Sequence, residues 1–260
     1  MLEKLKFVVA HPTCGAQRVR FRLRQFFQVF HKHRVHEYRR YLREPDAALA
    51  SIIGISPLSA RRPETLSQLQ KHLSFRMRET PSTPFTPRGI SDAGNIDSVA
   101  AEVLYFICRV VRPTLVVETG VANGVSSAHI LQALEDNARG HLYSIDVPPI
   151  TLRAIYPREI GWAIPDSLRC RWTLLVGESR DNLASLLNVL GKIDMFIHDS
   201  DHSYHNQLLE FRTAWPHLVD GGLLLADDVI NQDALLNFCD EIRREPIIVN
   251  RRHGLAIVRK

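Results

Sequence analysis

Apolar positions in residues 97–111 (Val99, Val103, Leu104, Phe106, Ile107, Val110) recur at helical spacing. Beyond them, short apolar runs alternate with amphipathic segments. The pattern predicts strands at Leu115–Glu118, His141–Asp146, Trp172–Gly177, Ile193–His198 and Gly222–Asp227. It predicts helices at Asp97–Val111, Ser126–Ala138, Asp181–Leu190, Tyr204–Leu218 and Asp233–Arg243. Two closing strands, Ile247–Asn250 and Leu255–Arg259, flank a His253-Gly254 turn. Strand and helix in alternation imply a mainly parallel sheet covered on both faces. The last two strands are too close for a helical crossover, so they must run antiparallel. The expectation is a doubly wound α/β domain around a seven-stranded, mostly parallel sheet with a C-terminal antiparallel hairpin.

The front third has a different pattern. Between Arg18 and Arg43 the apolar residues Leu23, Phe26, Phe27, Phe30, Tyr38, Tyr41 and Leu42 largely follow helical spacing, and the polar positions are rich in Arg and His. This predicts an amphipathic helix, broken near His31–His36. Residues 44–90 are rich in Pro, Ser and Thr, with Pro81, Pro84 and Pro87 in close succession, and read as a linker or draped loop. A short helix is expected at Pro63–Phe75, because Pro63 and Glu64 suit a helix start. The expected division is a basic, partly helical extension over residues 1–88 and an α/β domain over residues 89–260.

Charge sharpens that division. The net charge of +5 conceals 17 Lys and Arg against 6 Asp and Glu in residues 1–88. Residues 89–260 carry 16 against 22. The basic front third suits a solvated helix face, with peripheral contact to a membrane surface or an acidic partner as the alternative. Nucleic-acid binding is disfavoured, since no reader motif accompanies the charge. The aromatic stripe Leu23–Phe30 hints at a homodimer. Four scattered cysteines (Cys14, Cys108, Cys170, Cys239) form no C-x-x-C, which argues against a zinc site or a disulfide framework and for a cytoplasmic setting. No apolar run approaches the ~20 residues that span a bilayer, and Phe7–Ala10 is too short for a signal-peptide core.

Candidate chemistry begins at Val116–Ile130, VVETGVANGVSSAHI. A strand ends in Glu118, a turn follows with Gly120, Val121 and Gly124, and Ser126 and Ser127 open a helix. In open α/β sheets small ligands bind at such crossings, where glycines admit close backbone approach. The spacing is E-x-G-x-x-x-G rather than the G-x-G-x-x-G of nicotinamide and flavin enzymes. It resembles the first motif of class I S-adenosylmethionine (SAM) methyltransferases, whose fold is Rossmann-like. Asp146 ends the next strand, 26 residues after Gly120, and suits the ribose hydroxyls of a bound nucleoside. Glu178 and Ser179 follow the third strand, where such methyltransferases place the adenine; Ser179 or Asp181 equally suits a helix N-cap.

The densest cluster is FIHDSDHSYH, residues 196–205. Asp199, Asp201, His202 and Tyr204 lie beyond a strand ending at His198, and the next strand exposes Asp227 and Asp228. Neighbouring strands lie about 4.8 Å apart, so Asp199 and the Asp227–Asp228 pair can converge. Such carboxylates repel unless a cation neutralises them or a proton is shared, and a hard divalent ion such as Mg²⁺ is the natural partner.

The block 97–260 resembles the O-methyltransferases of the catechol and caffeoyl-coenzyme A type. It resembles more closely the bacterial Mg-dependent family acting on macrolide sugars and aminocoumarin phenols. The resemblance implies Asp199, Asp227 and Asp228 as metal ligands and Asp201 or His202 as the base. It also implies a hydroxyl acceptor, such as a sugar or other small molecule. The chain departs from the catechol type in having no Lys between Met195 and Lys260 and in carrying Asp227-Asp228 where that type has Asp-Asn. The acceptor surface is expected in the front third and in residues 148–168, where Tyr156 and Trp162 offer stacking or packing. The rival readings are a nucleotide-dependent oxidoreductase on the same sheet and a non-catalytic SAM-binding or membrane-associated module.

Overall fold

The computed structural model describes residues 34–55, 62–78, 96–147, 159–250 and 253–260. Among the described residues eight strands form one sheet: β1 (Leu42–Arg43), β2 (Leu115–Thr119), β3 (His141–Asp146), β4 (Trp172–Val176), β5 (Ile193–His198), β6 (Leu218–Ala226), β7 (Ile247–Val249) and β8 (Leu255–Arg259). Their spatial order is β1-β7-β8-β6-β5-β2-β3-β4. Only β8 runs against its neighbours, pairing antiparallel with both β6 and β7. The expected sheet is therefore present, with β1 as an eighth strand.

Two helical layers cover it. One comprises α1 (Pro45–Ile53), α2 (Glu64–Arg78), α3 (Ser98–Val111) and α4 (Val125–Asp136); the other comprises α5 (Ser179–Leu190), α6 (Tyr204–Ala214) and α7 (Ala234–Ile242). Successive strand residues serve opposite layers: Val116, Met195 and Leu225 join the first core, and Val117, Phe196 and Leu224 the second. Burial on both faces explains why the central strands read as continuous apolar runs. α3 starts where Asp97 accepts from the N–H groups of Val99 and Ala100, at 2.9 and 3.1 Å.

The predicted helix over Arg18–Arg43 does not continue to its expected end; residues 18–33 lie outside the described residues. Val35–Arg40 form a 3-10 turn, and Leu42–Arg43 pair with β7. Tyr38 is buried, and its hydroxyl donates to the Gln232 carbonyl at 2.7 Å. Residues spaced like a helix stripe are instead anchors for a strand that covers the edge of β7. Much of the region read as linker is helical: α1 packs on α3, and α2, at the place of the expected short helix, runs on to Arg78. The helix expected to reach Leu218 stops at Ala214, where Pro216 turns the chain into a 3-10 segment.

Candidate active site

The glycine loop joins β2 to α4 at the centre of the sheet, where the strand order reverses direction. Gly120 and Gly124 have φ of +84° and +94°. A Cβ on Gly120 would stand 2.0 Å from the Asp199 carbonyl oxygen, so only glycine lets this loop lie against the end of β5. Beneath the loop, the fully buried Glu118 carboxyl accepts from the hydroxyls of Ser126 and Ser127 at 2.6 Å and of Ser144 at 2.9 Å. Burial pushes its pKa up to about 7, against the pull of these hydroxyls. Glu118 and Ser126 thus face each other inside the loop, and the Val121 side chain is buried.

Asp146 caps the loop from β3. Its Oδ2 accepts from the N–H groups of Val121 (2.9 Å) and Ala122 (2.8 Å), and its Oδ1 from that of Val147 (2.7 Å). Asp146 stands opposite Val176 across β3 and β4, and Val147 and Val176 are exposed apolar side chains in this polar setting. Glu178 is exposed and pairs with Arg180 at 2.6 Å. The Ser179 hydroxyl turns inward and donates to Glu210. Residues 161–163 back the loop, with Gly161 and Ala163 N–H donating to Ala122 and Asn123 carbonyls at 2.9 and 3.0 Å. Trp162 is a packing residue: it is buried, donates to Asn123 Oδ1 at 2.8 Å, and lies under the Arg76 guanidinium. Tyr156 lies outside the described residues.

The acidic residues gather at the adjoining strand ends. Asp199 N–H donates to the Thr119 carbonyl at 2.8 Å, and Asp227 N–H to the His198 carbonyl at 3.0 Å. The His202 imidazole stands between two carboxylates, its Nε2 3.7 Å from Asp199 Oδ1 and 3.6 Å from Asp228 Oδ2. Asp228 is held at φ +55°, and its Oδ1 lies 3.4 Å from His253 Nδ1 on the β7–β8 turn. Burial and the neighbouring Asp227 hold the Asp199 carboxyl well above the usual carboxylate range. Burial and Asp228 push Asp227 up to about 7. Burial, then His198, lowers His202 to about 4. Asp201 Oδ1 accepts from Ser203 N–H at 3.1 Å, which shapes the turn into α6. Among the described residues no three His, Cys, Asp or Glu side chains converge as metal ligands would. His202 stands between Asp199 and Asp228, and Asp227 lies close enough to Asp199 to raise its pKa.

Two features were not anticipated. Glu210, fully buried on α6, accepts from His198 Nδ1 (2.6 Å), Thr119 (2.5 Å), Ser200 (2.7 Å), Asn206 (2.9 Å) and Ser179. Its only sequence signal is its place on the same helical face as Ser203 and Asn206. His253 carries none, since its proximity to Asp228 depends on the hairpin turn folding back over residues 229–230.

Comparison with known proteins agrees with this architecture. Residues 117–229 match the family model described as a methyltransferase domain. No protein of curated function matches the chain. An O-methyltransferase of Bacillus cereus in complex with S-adenosylhomocysteine (SAH) superposes with a TM-score of 0.55 at 13% identity, over 83% of this chain and 96% of that one. An SAH-bound methyltransferase of Podospora anserina gives 0.54 at 16%, over 77% and 89%. The O-methyltransferase TomG of Streptomyces achromogenes, involved in tomaymycin synthesis and bound to SAM, gives 0.50 at 16%, over 82% and 93%. At these identities the likeness is one of fold. Sequence match, strand order and the glycine loop at the crossing point agree: residues 117–229 are similar to a methyltransferase domain, and the sheet has the Rossmann-like fold of the methyltransferases it superposes on.

Proposed function

We propose that the protein transfers a methyl group from SAM to a hydroxyl oxygen of a small molecule or sugar. The observation that carries this reading is the contact between the glycine loop and the acid–imidazole cluster, where Gly120 abuts Asp199. A ligand held by the loop would lie next to the strand end that carries Asp199 and His202. The B. cereus and TomG proteins, with SAH and SAM in their structures, support the cofactor and the O-methyl class.

In this reading the backbone from Gly120 to Gly124 lies against the cofactor, with Glu118, Val121 and Ser126 shaping the loop from within. Asp146 takes the ribose hydroxyls. Val147 and Val176 offer apolar contact to the adenine, with Glu178 and the start of α5 beside it. His202, held neutral at pH 7 by burial, takes the acceptor proton, and Asp201 is the alternative base. The acceptor oxygen forms its bond to the methyl carbon as the carbon–sulfur bond breaks, and SAH leaves. Positioning of the two reactants provides much of the rate.

Divalent-metal assistance is part of this reading: Asp199, Asp227 and Asp228 would hold the ion, which would lower the pKa of the acceptor hydroxyl. Turnover after chelation, with and without added Mg²⁺, decides the point. No helix among the described residues is long and apolar enough to cross a membrane. Peripheral membrane contact through the basic front third and dimerisation through Leu23–Phe30 are further proposals, and Leu23–Phe30 lies outside the described residues.

The direct test is methyl transfer from labelled SAM to a panel of sugar and phenol hydroxyls. His202→Ala should lower turnover by about 10²–10⁴ while SAH still binds. Undiminished turnover in that variant would remove His202 from the mechanism.

A further inference from the structure

The fully buried Glu210 has no part in the methyl-transfer scheme, yet it accepts from five residues, on two strand ends, the loop after β5, the start of α5 and its own helix. Its Oε2 accepts from the Thr119 hydroxyl at 2.5 Å and from His198 Nδ1 at 2.6 Å. Its Oε1 accepts from Ser200 (2.7 Å), Asn206 (2.9 Å) and Ser179. Thr119 is the last residue of β2, immediately before Gly120. Ser179 opens α5 on the side assigned to the adenine. His198 ends β5, Ser200 lies in the loop carrying Asp199 and His202, and Asn206 lies in the first turn of α6. The network therefore has two residues on the cofactor side and three on the catalytic side, joined by one carboxylate.

A carboxylate suits this role because it accepts only, through two oxygens and about four lone-pair positions. Burial alone would favour its neutral form, but the His198 imidazole and the converging donors outweigh that and lower its pKa to about 2. The charged form persists across the physiological range. The His198 ring, fixed through Nδ1, stands edge-on to the His202 ring at 5.4 Å between centroids. The position of His202 over the cluster is thus set partly from below.

We infer that Glu210 is a positioning residue that couples the cofactor-binding loop to the catalytic loop. Filling the nucleoside site and ordering His202 become one event rather than two. The inference rests on the SAM-binding reading above. Coupling of this kind is carried by groups shared between two sites and is reciprocal. Changes on the catalytic side that never touch the cofactor must then alter its affinity.

Titration calorimetry with SAH tests this on the full chain, using wild type, Glu210→Gln, Ser200→Ala and the double variant. Gln puts an amide NH₂ where either Oε1 or Oε2 accepts, so at least two donors lose their partner. Each single variant should bind SAH about fivefold or more weakly, and the double variant no more weakly than Glu210→Gln alone. Wild-type affinity in both single variants overturns the coupling, as does a double variant whose losses multiply. Should Glu210→Gln fail to fold, Ser200→Ala and Asn206→Ala decide: affinity equal to wild type in both refutes the inference. A wild-type chain that binds no SAH contradicts the cofactor reading itself, which separates the two failures.

Discussion

Two buried glutamates support the two halves of the site, and they solve the same problem differently. Glu118 lies under the glycine loop with three serine hydroxyls and no cationic partner. Glu210 lies under the loop after β5 with hydroxyl and amide donors and an imidazole at 2.6 Å. Both are fully buried, yet the first is pushed up to about 7 and the second down to about 2. Hydroxyl donors alone do not offset the desolvation of a carboxylate; a hydrogen-bonded imidazole does. The glycine loop therefore rests on a carboxyl that gains a proton easily, and the loop after β5 on a fixed charge.

Truncation is the hardest test of that contrast. Glu210→Ala strands the buried His198 imidazole and four other donors, and should cost about 3–5 kcal/mol in urea unfolding. Glu118→Ala leaves three rotatable hydroxyls and should cost about 1–3 kcal/mol. Equal losses would show that the imidazole does not distinguish the two sites.

The pH dependence follows with opposite signs. The Glu210 contribution is complete above the unfolded value near 4.5 and is lost as pH falls toward about 2. Glu118, with its folded value raised, contributes fully below about 4.5 and loses that contribution as pH rises through about 7. Glu118→Gln, which cannot ionise, should therefore gain on wild type by about 2 kcal/mol between pH 5 and pH 8. A difference constant across that range would mean that Glu118 is charged throughout. The smallest expected effect on stability is at the rim: His253→Ala should stay within about 0.5 kcal/mol of wild type, while turnover falls because Asp228 loses its neighbour. A turnover equal to wild type would leave His253 as a turn residue only.

The sequence carried the fold well because most of it is written in local periodicity. β3, β5 and β8 begin and end where their short apolar-rich runs place them. β1 was illegible for the opposite reason. Two residues have no periodicity, and their strand character comes entirely from β7 beside them. The placement of Asp146 and of the Asp199–His202 loop at strand ends was legible, because the strands that carry them have clear local patterns. The inward turn of Ser179 was not, because its partner Glu210 is 31 residues away.

The central claim is that the glycine loop with Asp146 holds the nucleoside of SAM. Calorimetric titration of the chain and of its Asp146→Ala variant with SAM tests it most directly. The account predicts binding by the wild-type chain with a Kd in the range of roughly 1 μM to 1 mM, weakened about tenfold or more in the variant. No binding by the wild-type chain, or equal binding by both, would contradict it.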